Sequence, residues 1–393
     1  MKRKYCTSVT LLVAILFLLS FSATAQRKDE RHVRESMIVS TGWLAQHLKD
    51  DSLVLLQVGE KDEYTAAHIP GAQFIALADI STPRGAGLAL ELPSTAQLKT
   101  TFEKLGVSDK SRVVVYFSKD WVTPTARVFF TLDYLGLGSR TSILDGGLPT
   151  WRAEGRPVTT EVRPPVTGTF TPHPRQKLVV DAAWVNANLN KPGVMIVDAR
   201  ASKFYTGEEV GRMPRGGHIP GAKSIPFSSV VEDADNKFKS VETLSQLFNA
   251  AGVKKGDSVT TYCHIGQQAS LLYFVARYLG YDAHLYDGSF EDWSHRPELP
   301  VVKSDSVKTE NQALSQISIQ VFLIVYLWMA SALALCGPNA GERKLAAAVW
   351  NQSLFNLNFG LHHISQFFRL RHCLANQSKD IISYHILKCL IFF

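Results

Sequence analysis

The chain has few cysteines, and their distribution limits the classes of protein to which it can belong. Its 393 residues include five Cys, but the stretch 26–305 contains only Cys263. A single thiol cannot form an internal disulfide, so a disulfide-stapled fold is excluded for this stretch. With about 280 residues, the stretch is still long enough for two domains that bury their own hydrophobic cores.

The stretch 26–305 also lacks any excess of charge. The whole chain has a formal net charge of +7, but its surplus of basic residues lies in the two terminal segments. Between them, 32 Lys and Arg residues balance 32 Asp and Glu residues. Balanced charge offers no electrostatic footprint for DNA or RNA, so we expect no nucleic acid partner. The oligomeric state is not indicated by the sequence.

The first 25 residues have the pattern of an export signal. Basic residues at positions 2–4 precede the apolar run 11–21, and Ala-Thr-Ala at 23–25 provides a small-x-small cleavage site. We therefore expect segment 1–25 to be removed and the rest of the chain to be exported, with a periplasmic location.

The central part of the chain repeats itself. Three motifs occur twice in the same order: His-Ile-Pro-Gly-Ala at 68–72 and 218–222, Tyr-Leu-Gly at 134–136 and 278–280, and an Asp-Gly motif that ends in Trp at 145–151 and 287–293. Such self-similarity indicates duplicated domains. We place the domains at 36–155 and 178–302, joined by the Pro-rich linker 156–177.

Each half alternates short apolar runs with amphipathic stretches. In the second half, residues 194–197, 259–262 and 283–286 are typical of buried strands, and apolar residues recur at helical spacing after position 270. The predicted class is therefore α/β, with two tandem domains that each contain a mainly parallel sheet flanked by helices. Ligands in such sheets bind beyond the carboxyl ends of the strands, which is where Cys263 lies.

Cys263 stands where a predicted strand gives way to a helix. Backbone N–H groups of the loop and the first helical turn favour negative charge, so we expect a lowered thiol pKa and a stabilised thiolate or persulfide. Gly266 would allow the positive φ that turns successive N–H groups inward. Alignment of the two halves places Phe117 opposite Cys263, so the first domain has no nucleophile at this position.

These features together resemble the tandem-domain rhodanese sulfurtransferases, over residues 36–302 of the chain. The resemblance implies that the second domain is catalytic and that Cys263 accepts a sulfane sulfur from a small-molecule donor such as thiosulfate. The sulfur then passes to cyanide or another thiophilic acceptor, with no cofactor and no metal. A 3-mercaptopyruvate sulfurtransferase and a non-catalytic persulfide carrier or binding module are the alternative functions.

The residues after Cys263 are the predicted substrate-binding loop, which comprises His264, Ile265, Gly266, Gln267 and Gln268. This loop departs from the pattern that the resemblance implies. Thiosulfate-preferring members tend to carry Arg or Lys in the loop, and mercaptopyruvate-preferring members tend to carry small residues. The two glutamines donate hydrogen bonds without charge, so the choice of donor stays open.

Two residues near the loop have both a structural and a functional interpretation. Arg200 would either form an ion pair with Asp198 or another acid that pins the loop, or bind an anion at the pocket rim. His264 would either face solvent, or add positive potential beside the donor or form a hydrogen bond with it. His68, His218, Asp287, Trp293 and Trp151 occur in motifs shared by both halves and are interpreted as structural.

Two other enzyme classes with a reactive cysteine do not fit. A cysteine phosphatase needs Arg six positions after the nucleophile to clamp phosphate, and this chain has Ala269 there. A thioredoxin-like oxidoreductase needs a second Cys three positions after the first, and the chain has Gly266.

The tail 303–393 contains the uncharged run 317–336, which is long enough to span a bilayer. The segment beyond it is basic, as expected for a cytoplasmic side. A membrane anchor that tethers the exported domains and a gene-model fusion are both compatible with this tail.

Overall fold

The computed structural model describes residues 36–83, 85, 87–119 and 122–304, which all lie within one compact unit. The signal segment 1–25 and the run 317–336 lie outside these ranges. Within the ranges, none of the helices combines the length and the apolar character that crossing a bilayer requires.

The described residues form two parallel five-stranded sheets. The first has the strand order β1-β5-β4-β2-β3 and the second the equivalent order β6-β10-β9-β7-β8. The strands are β1 Ile38–Val39, β2 Leu53–Val58, β3 Gln73–Ile75, β4 Arg112–Phe117, β5 Thr141–Leu144, β6 Val179–Val180, β7 Val194–Asp198, β8 Lys223–Ser224, β9 Ser258–Tyr262 and β10 Asp282–Tyr286.

Helices flank both sheets, so the predicted α/β class with two tandem domains is confirmed. The α-helices are α1 Thr41–His47, α2 Lys61–Ala66, α3 Thr95–Lys104, α4 Val122–Tyr134, α5 Gly147–Ala153, α6 Ala182–Ala187, α7 Ser202–Thr206, α8 Val241–Ala250, α9 Gln267–Leu279 and α10 Ser289–His295. Short 3₁₀ turns occupy Leu77–Ile80, Gly138–Arg140, Gln176–Leu178 and Phe227–Val230.

Local sequence accounts for the central elements. In β4, the run from Val113 to Phe117 is fully buried, as expected for a central strand that is covered on both faces. Ser94 precedes α3 and forms a capping box with Gln97, in which its hydroxyl accepts from the Gln97 amide. Ser240 caps α8 with its hydroxyl alone, which accepts from the Thr243 amide.

The two domains share one hydrophobic core. Helix α4 of the first domain packs against α9 of the second, and one buried cluster contains residues of both domains. Phe129 meets Phe274 edge to face at 4.7 Å between ring centroids, and Phe130 meets Tyr273 in the same way at 4.9 Å. Helix α9 begins directly after the cysteine loop, so this packing fixes the loop relative to both domains.

Candidate active site

Cys263 lies at the carboxyl end of β9, in a short loop that leads into α9. Its side chain is buried, with 1% of the residue exposed, and the amide of Gly266 donates a hydrogen bond to Sγ over 3.2 Å. Gly266 has φ of 90°, in the left-handed region, and it is the residue that precedes α9. The positive φ predicted for Gly266 is therefore confirmed, and it turns the loop amides towards the sulfur.

The backbone of Cys263 is anchored to the first residues of α10, the helix that follows the neighbouring strand β10. Its amide donates to the hydroxyl of Ser289 over 3.2 Å, and its carbonyl accepts from the amide of Phe290 over 2.9 Å. The next carbonyl, of His264, accepts from the amide of Glu291 over 2.9 Å. Three consecutive residues of α10 thus hold the first two residues of the loop.

Ser289 is a site residue that sequence reasoning missed. It is fully buried, and its φ of 52° is uncommon for a residue with a side chain. Its hydroxyl also donates to the carbonyl of Tyr286 over 2.9 Å, so it is both a hydrogen-bond acceptor and a donor. The repeated motif contained a signal for this residue, because Gly147 occupies the equivalent position in the first domain and glycine is the residue that tolerates a positive φ.

The expected lowering of the Cys263 pKa is wrong for the free thiol. Burial raises the pKa of the Cys263 thiol above its ordinary value. Four backbone amides oppose this increase, which are those of Ala269, Ile265, Gly266 and Gln268. The amides do converge on the sulfur as predicted, but removal of the thiolate from water is the larger effect.

The loop side chains lie in different environments. His264 is half-buried and meets Phe204 edge to face at 4.5 Å. Burial and the nearby Arg200 charge lower the pKa of His264 to about 4, so it is uncharged at neutral pH. The expected alternative in which His264 adds positive potential is therefore wrong at neutral pH, because desolvation and Arg200 both favour the neutral ring. Ile265 is also half-buried.

The two glutamines of the loop differ in their contacts. Gln267 donates from Nε2 to the hydroxyl of Thr123 in α4 over 3.1 Å, so its side chain joins the two domains. Gln268 has a buried Oε1 that accepts no hydrogen bond from any part of the chain that the structure describes. Gln268 is thus the better placed of the two to meet a ligand.

Arg200 uses two of its three guanidinium nitrogens on acceptors within the second domain. Its Nε and Nη2 donate to the Asp198 carboxylate over 3.0 and 2.6 Å, and Nη2 also donates to the carbonyl of Gly217 over 2.7 Å. The guanidinium lies 4.0 Å from the ring centroid of Phe290. This arrangement matches the first interpretation of Arg200, an ion pair that pins the strand end.

The first domain repeats this framework without the thiol. The hydroxyl of Tyr116 accepts from the Ile69 amide over 3.1 Å, and the hydroxyl of Tyr262 accepts from the Ile219 amide over 3.2 Å. Because the two tyrosines are equivalent, the residue after each is equivalent as well. The structure therefore places buried Phe117 at the position of Cys263.

The histidines and tryptophans that recur in both halves make structural contacts. His68 and His218 each use Nδ1 on a backbone carbonyl and stack on a tyrosine, at 4.0 and 3.7 Å between centroids. Trp151 and Trp293 each donate from Nε1 to a proline carbonyl over 2.8 Å. Neither pair approaches the Cys263 loop through these contacts.

The family model for the rhodanese-like domain matches residues 40–154 and 181–296, once in each half of the chain. The chain belongs to the rhodanese-like family. Within this family the chain is a tandem-domain member, as the motifs indicated. Two copies of the domain account for the two equivalent sheets and for the shared position of Phe117 and Cys263.

Curated relatives of this rhodanese-like chain carry sulfur-transfer names. It is 31% identical over 291 residues to the sulfur carrier protein TtuD of Thermus thermophilus, which covers 70% of this chain and 99% of the relative. It is 30% identical over 238 residues to the thiosulfate sulfurtransferase of Gallus gallus, which covers 60% of this chain and 81% of the relative. The Arabidopsis thaliana protein named thiosulfate/3-mercaptopyruvate sulfurtransferase 1, mitochondrial, is 30% identical over 306 residues, 68% of this chain and 79% of that one.

Solved structures share the fold of this rhodanese-like chain at low sequence identity. The wild-type structure of EanB has a TM-score of 0.62 at 21% identity and covers 69% of this chain and 70% of that one. The crystal structure of YnjE has a TM-score of 0.59 at 23% identity, with 68% of each chain covered. These likenesses support the fold alone.

Proposed function

We propose that this rhodanese-type sulfurtransferase moves a sulfane sulfur through a persulfide on Cys263. One observation carries the proposal: the single thiol of residues 26–305 lies in a loop whose amides converge on its sulfur. Such amides stabilise an anionic sulfur as they would an oxyanion. The first domain holds buried Phe117 at the equivalent position, which supports chemistry in the second domain.

The reaction has two half-reactions with thiosulfate as donor. The thiol first loses its proton to solvent, and the thiolate attacks the outer sulfur of thiosulfate. The electron pair of the donor S–S bond leaves with sulfite, and a Cys263 persulfide remains. Cyanide then attacks the outer sulfur of the persulfide, thiocyanate departs, and the electron pair of the enzyme S–S bond returns to Cys263 as a thiolate.

The charge around the loop bears on the donor. Arg200 is paired with Asp198, His264 is neutral, and no Lys or Arg lies between Cys263 and Ala269. A dianion therefore meets amide dipoles and the Gln268 side chain but receives no charged hydrogen bond from the loop. Thiosulfate binds weakly under this proposal, although it is turned over. A less charged donor such as 3-mercaptopyruvate is the alternative.

A steady-state comparison of the two donors tests the function. The full chain is assayed with thiosulfate and with 3-mercaptopyruvate, and thiocyanate formed from cyanide is measured. Cys263→Ser should abolish turnover with both donors and leave the thermal unfolding transition in place. Mass spectrometry of wild-type protein after donor alone should detect one added sulfur atom on Cys263. Substantial turnover by Cys263→Ser would refute the proposed mechanism.

A persulfide carrier is the second candidate function, and the 31% identity to a sulfur carrier protein favours it. A carrier would gain the sulfur on Cys263 but transfer it slowly to cyanide. Single-turnover loading that is fast, combined with slow thiocyanate release, would identify this function. Fast release would identify the enzyme.

The location of the protein also belongs to the proposal. The export pattern of residues 1–25 supports a periplasmic location of the two domains, and the apolar run 317–336 supports anchoring of the exported chain to the outer face of the membrane. Protease added to spheroplasts should then digest the two domains. Full protection in intact spheroplasts, with digestion after lysis, would place them inside.

A further inference from the structure

An arginine of the first domain reaches into the second domain beside the Cys263 loop. Arg127 lies in α4, and none of its side chain is exposed. Its Nη1 donates to Oδ1 of Asp287 over 2.6 Å, and its Nη2 donates to the carbonyl of Leu90. The second carboxylate oxygen of Asp287 accepts from the amide of Leu92 over 2.9 Å. Asp287 is thus held entirely by groups of the first domain.

Asp287 belongs to the segment that holds the nucleophile. It follows β10 directly, and Ser289 and Phe290, two and three residues later, bind the amide and carbonyl of Cys263. A β-carbon built on Gly266 would lie 3.2 Å from Arg127 Nη1 and 3.2 Å from the Asp287 carbonyl oxygen. The guanidinium therefore lies against the turn whose amide points at the sulfur.

Stability alone is a poor account of this contact. A buried ion pair often contributes little net stability, because both charges lose their hydration. The Nε of Arg127 is buried and has no hydrogen-bond partner in the described part of the chain. Leu90, which supplies the other acceptor, has φ of 61°, which is costly for a leucine. These costs indicate that the contact serves to position Asp287.

Arg127 also opposes a group of carboxylates near the loop. The pKa of Glu91 is raised by burial and by the charges of Asp287, Asp292 and Glu291, and Arg127 acts in the opposite direction. Without Arg127, Asp287 would lack its counter-ion beside the loop that an anionic donor approaches.

We propose that Arg127, from the domain without a nucleophile, is a positioning residue for sulfur transfer: it fixes Asp287 and through it the loop that carries Cys263. This inference rests on Cys263 as the reacting thiol. It gives the first domain a role in catalysis that does not require a reactive group of its own.

The test compares Arg127→Met with Arg277→Met in the full chain. Arg277 serves as the control because it also joins the two domains through an ion pair, in which its Nη1 lies 2.6 Å from Oδ2 of Asp133 in α4. That pair lies in the last turn of α9, whereas the Cys263 loop precedes the first turn. Two quantities are measured, kcat with thiosulfate and the pH dependence of Cys263 alkylation. The alkylation profile needs no turnover, and it reports how well the backbone amides stabilise the Cys263 thiolate.

Arg127→Met should lower kcat by about a hundredfold, the loss expected when a reacting group moves by about one ångström. Its alkylation profile should shift to higher pH, since looser amides and a lost cation both disfavour the thiolate. Arg277→Met should retain the wild-type kcat and profile and lose only thermal stability. Arg127→Lys keeps the charge but not both contacts, so it should recover part of kcat and most of the profile.

Arg127→Met leaves Asp287 buried without its counter-ion, so the variant itself would be destabilised. The double variant Arg127→Met, Asp287→Asn removes both charges and should fold with low kcat and the shifted profile. If either variant matched Arg277→Met in kcat and in alkylation profile, the positioning role would be refuted. Failure of the role proposed for Cys263 is a separate result, because it would appear as turnover that survives in Cys263→Ser.

Discussion

Ser289 and Gly147 share a backbone φ of 52°, but only Ser289 has a hydroxyl, which accepts from the Cys263 amide. The first domain thus uses the residue that adopts this conformation without strain, and the second domain uses a strained one whose hydroxyl binds the Cys263 amide. We propose that this hydroxyl serves sulfur transfer at Cys263.

Ser289→Gly should therefore separate activity from stability. Relief of the positive φ, worth about 1 kcal/mol, nearly offsets the lost hydrogen bond, so the free energy of unfolding should change little. The kcat should fall about tenfold, the equivalent of one hydrogen bond. Ser289→Ala keeps the strain and should lose both stability and kcat. Wild-type kcat in Ser289→Gly, measured beside its denaturant unfolding curve, would contradict the role.

Phe117→Cys should not create a second active site. The sequence between position 117 and the Tyr-Leu-Gly motif is two residues longer than the corresponding stretch after Cys263, and Gly147 offers no hydroxyl to the new residue. Loss of a buried aromatic ring should also cost about 3 kcal/mol of stability. The informative protein is the double variant Phe117→Cys, Cys263→Ser, in which thiocyanate formation should stay at background. Recovery of activity there would show that the first domain can react.

Gln268→Arg should lower the KM for thiosulfate. The buried Oε1 of Gln268 lacks a partner among the described residues, and its backbone amide is one of those that face Cys263. A charged hydrogen bond of about 1.5–3 kcal/mol corresponds to a KM decrease of about tenfold or more. Gln268→Met, similar in length and uncharged, is the control and should not lower KM. An unchanged KM in a folded Gln268→Arg protein would mean that the dianion is bound elsewhere.

His264 should contribute to the pH dependence of stability. Its pKa is lowered from 6.5 to about 4 in the folded protein, so the unfolded chain takes up its proton first as the pH falls. Stability should therefore decrease between pH 6.5 and about 4, by at most about 1.4 kcal/mol per pH unit for this one proton. His264→Asn should show a shallower slope in denaturant titrations across that range. An identical slope would contradict the buried neutral imidazole.

Local signals in the sequence were sufficient for most of the fold. Buried strands such as Val194–Asp198 and Ser258–Tyr262 extend the predicted runs by only one residue. The duplication predicted two equivalent domains. Tyr116 and Tyr262 make equivalent hydrogen bonds in the two domains, which supports the alignment that placed Phe117 opposite Cys263. These predictions succeed because periodicity and repeated motifs are properties of neighbouring residues.

The environment of the site was less accessible to sequence reasoning. The predicted low pKa of the thiol considered the amides but not the burial of Sγ, which is the larger effect. Gln267, which was predicted to bind substrate, also donates a hydrogen bond to Thr123 of the first domain. That contact depends on how α4 packs against α9, and no local pattern in the chain encodes it.

The sequence by itself determined the number of domains, their α/β class, the single candidate nucleophile Cys263 and the glycine that turns its loop. Only the tertiary structure decided which charges are available around that thiol. Arg200 is paired with Asp198, and Arg127 is paired beside the loop with Asp287, 160 positions away in the chain. The physical reason is that charge and desolvation depend on distances through space, and packing of the two domains sets those distances.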